Sequence, residues 1–261
     1  MKTCRGKEQK QNIFDSADFD RAIAEYEDGY ERDSIGILKE GMLHAVLKAC
    51  IADSPDQCEI RIDGKNIADV IKGNTVYEIQ TENLFAVKKK LDFYLENTDY
   101  DVNIVFPLPR ERSLLWVNNE SGETHGPNRS PKKKTLCDVC DQLVFLCEYI
   151  KDPRVTLTVP VISELEVRNL DGKRSKNKKR GSTRVVRKPL FLIEIQTYSC
   201  AKDFAVLLPT SESFTRDEYL KEKKIHKGRK TTRALSMLCA LGLIEKTEEK
   251  KGRATLYRKI F

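Results

Sequence analysis

The chain has 261 residues, 39% of them hydrophobic and 33% charged, with 47 Lys+Arg against 40 Asp+Glu and a formal net charge of +7. That length holds one large domain or two modest ones, and no run approaches the ~18 apolar residues that a membrane span needs. The opening MKTCRGKEQKQN lacks a signal-peptide apolar run, and eight cysteines are scattered through the chain, so the expectation is a cytoplasmic protein with free thiols.

Residues 1–34 are polar and read as a weakly ordered leader, apart from Phe19, Ala22, Ile23 and Tyr26 at helical spacing. An amphipathic helix is predicted from Ile35 to about Ile51, with Leu38, Met42, Leu43, Val46, Leu47 and Cys50 on one stripe. Three short strands follow, Cys58–Ile62, Ile67–Ile71 and Thr75–Gln80, separated by the turn signals Asp63-Gly64 and Gly73-Asn74. A helix over Asn83–Glu96 and a strand over Val102–Phe106, ending at Pro107, complete a unit of order αβββαβ. Ser113–Val117 adds a further strand before a loop over Asn118–Ser130, which closes a first domain at 35–130. Residues 131–200 are read as a helix, Thr135–Ile150, and a ribbon of two strands, Val155–Val167 and Thr183–Thr197. Residues 201–261 have another grammar: a capping box at Thr215-Arg216-Asp217-Glu218, a turn at His226-Lys227-Gly228, a helix over Thr231–Leu241 stopped by Gly242, and a hairpin turning at Lys251-Gly252. The fold class is mixed α/β (α+β).

The chemistry concentrates on the hairpin of the second and third strands. A two-residue Gly73-Asn74 turn pairs Lys72 with Thr75 and Val70 with Tyr77, and sets Asp69 opposite Glu78. Opposed carboxylates repel, so their retention points to a divalent cation, which takes oxygen ligands. The other face, Ala68, Val70, Tyr77 and Ile79, is apolar and suited to a core. Glu40 lies about 60° from Leu43 on the helical wheel, at the edge of the apolar stripe, where it can aim at the acidic pair. His44, four residues further on, either borders that site or lies on the surface.

Glu40 on the helix, Asp69 on one strand and Glu78-Ile79-Gln80 on the next, followed by a helix and a strand, resemble the core of the PD-(D/E)XK (restriction-endonuclease-like) nuclease superfamily over residues 35–110. The resemblance implies a Mg²⁺- or Mn²⁺-dependent hydrolysis of DNA phosphodiesters. Asp69 and Glu78 would be metal ligands with the Ile79 carbonyl, Glu40 would assist, and Gln80 would orient water or phosphate. Gln80 stands where the family has a lysine; glutamine orients a water but carries no charge, and Lys88 or Lys89 on the next helix is a spatial substitute. A degenerate, non-catalytic core on a DNA-binding regulator is the alternative. The second Glu-Ile-Gln-Thr string, Glu194–Thr197, has no acid about nine residues upstream and is read as a coincidence of strand composition.

The remaining charge is polarised. Residues 171–188 carry nine basic residues and one acid, more than the whole excess of the chain: Lys173, Arg174, Lys176, Lys178, Lys179, Arg180, Arg184, Arg187 and Lys188. Arg129 and Lys132–Lys134 form a smaller run, and the segment after Thr210 is also basic. The last 61 residues resemble a winged helix. By that resemblance, Lys227, Arg229, Lys230, Thr232 and Arg233 at the start of its second helix would meet DNA, with Lys251 and Arg253 at the wing on phosphates. Two strand cuts would suit a homodimer. Cys137-x-x-Cys140 lies in an apolar helical pattern without a second knuckle and is assigned to core thiols over zinc.

Overall fold

The computed structural model describes residues 12–32, 41–118, 121–170, 182–225 and 229–260. In chain order the elements are helices α1 (Ser16–Arg32) and α2 (Gly41–Ile51), strands β1 (Cys58–Arg61), β2 (Ile67–Lys72) and β3 (Thr75–Ile79), helix α3 (Lys88–Asn97), and strands β4 (Asp101–Val105), β5 (Leu108–Val117) and β6 (Thr124–Arg129). Then come short helices α4 (Cys140–Leu143) and α5 (Leu146–Tyr149), the long strands β7 (Val155–Asn169) and β8 (Thr183–Tyr198), strand β9 (Ser213–Thr215), helices α6 (Arg216–Glu222) and α7 (Arg229–Ala240), and the hairpin β10 (Ile244–Lys251) and β11 (Ala254–Lys259).

Eight strands form one mixed sheet of order β1-β2-β3-β4-β7-β5-β6, with β8 pairing β7. The first three strands are antiparallel, and β4 pairs parallel to β3 and to β7. Pro107 bends the chain without ending its extension, so that β4 and then β5 lie parallel to successive stretches of β7. The boundary expected at residue 130 is therefore crossed by the sheet, because β7 pairs with both β4 and β5. Residues 124–129 form strand β6 on β5, where a loop was expected.

Both sheet faces are covered. On one, α1 and α2 pack Phe14, Phe19, Ala22, Leu43, Val46 and Leu47 against Val70, Ile79, Val105 and Ile162. The expected leader is thus corrected over 16–32. Its apolar stripe finds a partner in α2, and reciprocal bonds start the helix, Asp18 N–H to Asp15 Oδ1 (3.0 Å) and Asp15 N–H to Asp18 Oδ2 (3.1 Å). On the other face, α3 with Leu84 and Val87 joins the segment 136–150 and the C-terminal unit in one continuous cluster. Met237 and Leu238 of α7 belong to the same cluster as Cys140, Leu143 and Cys147, so residues 201–260 share a core with the rest. The helix expected over 135–150 is broken into a 3-10 turn, Leu136–Val139, and the short α4 and α5.

The C-terminal unit runs strand, helix, helix, hairpin, with a three-stranded sheet of order β10-β11-β9. Thr215 caps α6 as its sequence requires: Oγ1 accepts from Glu218 N–H (3.3 Å), and Glu218 Oε2 accepts from Thr215 N–H (2.7 Å). In α7 Ala234, Leu235, Met237 and Leu238 are buried, and Cys239 is exposed. Among the described residues no helix is long and apolar enough to cross a membrane.

Candidate functional site

The β2–β3 hairpin turns at Gly73, whose φ of 59° is the left-handed conformation that favours glycine. Its backbone register is the expected one from Lys72↔Thr75 through Ile71↔Val76 to Val70↔Tyr77. The pairing ends there. Beyond it Asp69 offers its side chain, Oδ2 accepting the Ile79 N–H at 2.7 Å. The rung that would have set Asp69 directly opposite Glu78 is replaced by a carboxylate-to-backbone bond.

The Glu78 side chain is fully buried. The reason is α3, which covers that face with Leu91 and Tyr94. Two residues of α3, one helical turn apart, grip the carboxylate: Lys90 Nζ lies 2.8 Å from Oε2, and Tyr94 O–H donates to Oε1 at 2.6 Å. Lys90 also donates to the Ile67 carbonyl at 2.7 Å, which ties α3 to the start of β2. Burial and the negative charge of Asp69 push the Glu78 carboxyl up to about 7, against the opposing pull of Lys90 and Tyr94.

On the α2 side, His44 Nε2 lies 3.3 Å from Asp69 Oδ2. Burial works to raise Asp69, but the hydrogen bonds from His44 and the Ile79 amide, with the charge of Lys90, hold it below the ordinary carboxylate value. His44 therefore borders the acidic pair, one of its two readings. Glu40 lies outside the described residues. Gln80 follows β3, where its N–H donates to the Val105 carbonyl at 2.9 Å.

Sequence reasoning missed Lys90 and Tyr94. Lys88 is committed elsewhere, to Asp92 (3.1 Å) and the Tyr149 hydroxyl (2.9 Å), and Lys89 is exposed. The available signal was the spacing: Tyr94 is on the buried stripe of α3, and Lys90 precedes it by four residues on the same face.

The basic residues divide three ways. Lys173, Arg174, Lys176, Lys178, Lys179, Arg180 and Lys227, with the side chains of Arg229, Lys230 and Thr232, lie outside the described residues. Arg184 and Lys251 are described but engaged, Arg184 with Glu82 and Lys251 with Glu218 (2.6 Å), because acids stand beside them on neighbouring elements. Arg233 and Arg253 are exposed. Arg187 donates to the Thr81 carbonyl at 3.0 Å, so β8 and its basic run are fastened to the segment that follows Glu78-Ile79-Gln80. Glu194 of the second Glu-Ile-Gln-Thr string pairs with Arg110 and faces no second acid across the strand, in keeping with a coincidence of composition.

Among the described residues no cluster of three or more His, Cys, Asp and Glu side chains is arranged to hold a metal ion. Asp69 and Glu78 offer oxygen donors of the kind a hard cation takes, but both Glu78 oxygens are engaged by Lys90 and Tyr94, and Asp69 Oδ2 already accepts the Ile79 amide and faces His44.

Residues 41–199 match a family model described as "Domain of unknown function (DUF8091)". An uncharacterized protein of Treponema pallidum (strain Nichols) is 26% identical over 234 residues, covering 87% of this chain and 88% of that protein. No solved structure gives a significant match.

Proposed function

The chain belongs to the DUF8091 family, and we propose that it is a metal-dependent DNA nuclease, with β2, β3 and α3 carrying the active site and the C-terminal unit docking DNA as a winged helix. The observation that carries this reading is the pairing of Lys90 of α3 with Glu78 of β3, with Asp69 of β2 close enough for its charge to act on Glu78 and to feel that of Lys90. Two interacting carboxylates and a lysine are the set that the PD-(D/E)XK resemblance calls for, and α3 supplies the cation that Gln80 does not. The exposed Arg233 and Arg253, and a basic run fastened beside the acidic hairpin, fit a polyanionic substrate.

Asp69 and Glu78, with the Ile79 carbonyl, would hold Mg²⁺ or Mn²⁺. When bound, such an ion polarises the phosphodiester and lowers the pKa of water. Lys90 neutralises Glu78 in the resting site and stands ready to balance charge that builds on the phosphate. With its carboxyl near its midpoint at neutral pH, Glu78 can hold or release a proton. Gln80 orients by hydrogen bonding.

A second reading has its own observation. Glu78 is fully buried with both oxygens already engaged, which also suits a nuclease-like scaffold that binds DNA without cutting it. One experiment separates the two: a panel of duplex, branched and single-stranded DNA with Mg²⁺ or Mn²⁺, using wild type, Asp69→Asn and Glu78→Gln. Asparagine keeps an oxygen for the Ile79 amide, so the hairpin survives. The nuclease reading expects metal-dependent cleavage that falls at least about a hundredfold in both variants, with DNA binding retained. Binding without cleavage by wild type selects the scaffold, and undiminished cleavage by both variants overturns the site.

A further inference from the structure

Cys137 and Cys140 are buried as expected of core thiols, but their surroundings are unequal. Thr135 and Asp138 start the helical turn that carries them, with Thr135 N–H donating to Asp138 Oδ2 at 3.0 Å. Side chains three residues apart on a helical turn are neighbours, about 5–6 Å apart at Cβ, and a disulfide would draw them in to about 3.5–4.5 Å. Cys137 lines a cavity of about 570 Å³ whose walls include Arg110, Gln196, Tyr198, Lys223 and Lys224. On another side its sulfur meets the Tyr219 hydroxyl at 3.9 Å. Cys140 stands behind it with no exposed surface, its Sγ donating to the Leu136 carbonyl at 3.5 Å.

The neighbouring Cys140 thiol lowers the Cys137 thiol below its ordinary value against the effect of burial, with help from Tyr219 and the charge of Lys223. The proximity of Cys137 and burial push Cys140 up. The cavity-side sulfur is therefore the more ionised of the two, and the thiolate is the form that attacks disulfides.

We propose that Cys137 and Cys140 form a redox site that reduces small-molecule disulfides entering the cavity, Cys137 attacking and Cys140 resolving. Cys137 loses its proton to solvent and attacks one sulfur of a disulfide RSSR. The S–S bond breaks, and the departing RS⁻ takes up a proton as RSH. Cys140 then loses its proton and attacks Cys137 in the mixed disulfide, which releases the second RS⁻ as RSH. Two cysteine thiols are oxidised to one disulfide, and RSSR is reduced to two thiols.

The test exposes the reduced native protein to oxidised glutathione, or to hydroxyethyl disulfide, and maps modified cysteines by mass spectrometry. Wild type should yield a Cys137–Cys140 disulfide peptide, and Cys140→Ser should stop at a mixed disulfide on Cys137. The exposed Cys239 reports that the reagent is active in every sample. If Cys239 is modified while Cys137 stays a free thiol in native wild type and in Cys140→Ser, the proposal is overturned. The wild-type result stands without any variant, so poor folding of Cys140→Ser leaves the test decisive.

Discussion

A buried carboxyl that titrates near neutrality makes the fold itself sensitive to pH. Glu78 moves from about 4.3 in an unfolded chain up to about 7 in the fold, so the folded state binds its proton more tightly. The stability it contributes is complete at acid pH and is lost as pH rises through 7. Asp69, held low, acts in the opposite sense and only below about pH 4. Urea midpoints at pH 5 and pH 8 should therefore fall further in wild type than in Glu78→Gln, whose amide does not titrate. An equal fall in both would place the effect elsewhere. At this scale the sequence made the hairpin turn and its first three rungs legible, because a Gly-Asn turn between apolar alternations fixes them, but the rung expected to set Asp69 opposite Glu78 does not form. It left Lys90 unread, since a lysine on an amphipathic helix looks solvated until the helix is laid on a strand. Tyr94 passed as one more apolar residue, and its hydroxyl mattered only once Glu78 was beneath it.

Strands were easier to read than what lies between them. β1, β2 and β3 follow from period-two alternation and their turns, whereas 124–129 offers Gly126-Pro127 and no apolar alternation, and becomes a strand only because β5 provides an edge. The helix expected over 135–150 failed differently. Its apolar pattern is real, but those side chains pack on the Leu84–Val87 turn and on α7, and the segment forms a 3-10 turn and two short helices. The long strand β7 carries Glu164 and Glu166, both buried, and Arg112 of β5 serves both: Nε is 2.7 Å from Glu164 Oε1, and Nη1 is 3.0 Å from Glu166 Oε2. Arg112→Ala should cost about 3–5 kcal/mol in equilibrium unfolding, the expected penalty for stranding buried charge. A loss below ~1 kcal/mol, the size of an exposed pair, would show that Arg168, which already pairs with Glu166, and Arg187 beside Glu164 take over.

For the whole molecule, composition allowed two domains and charge suggested a division between an acidic core and a basic half. The sheet and the larger apolar cluster join those halves, a result no local pattern encodes because β4–β7 pairing spans about fifty residues of chain. The β7–β8 ribbon has a consequence in length. From Leu157 to Asn169 it is paired throughout, a rise of about 40 Å at ~3.3 Å per residue. One end of the ribbon is the Asn169–Thr183 rung, and the C-terminal unit adjoins the other through the stack of Tyr198 on Phe204. Forty ångströms is about a dozen base pairs of duplex at ~3.4 Å each. If DNA is the ligand, the ribbon acts as a ruler: duplexes shorter than a dozen pairs reach one end of it, and longer ones reach both. Affinity measured against duplex length at fixed salt should step upward near that length, and a smooth rise would mean that the two ends do not grip the same molecule.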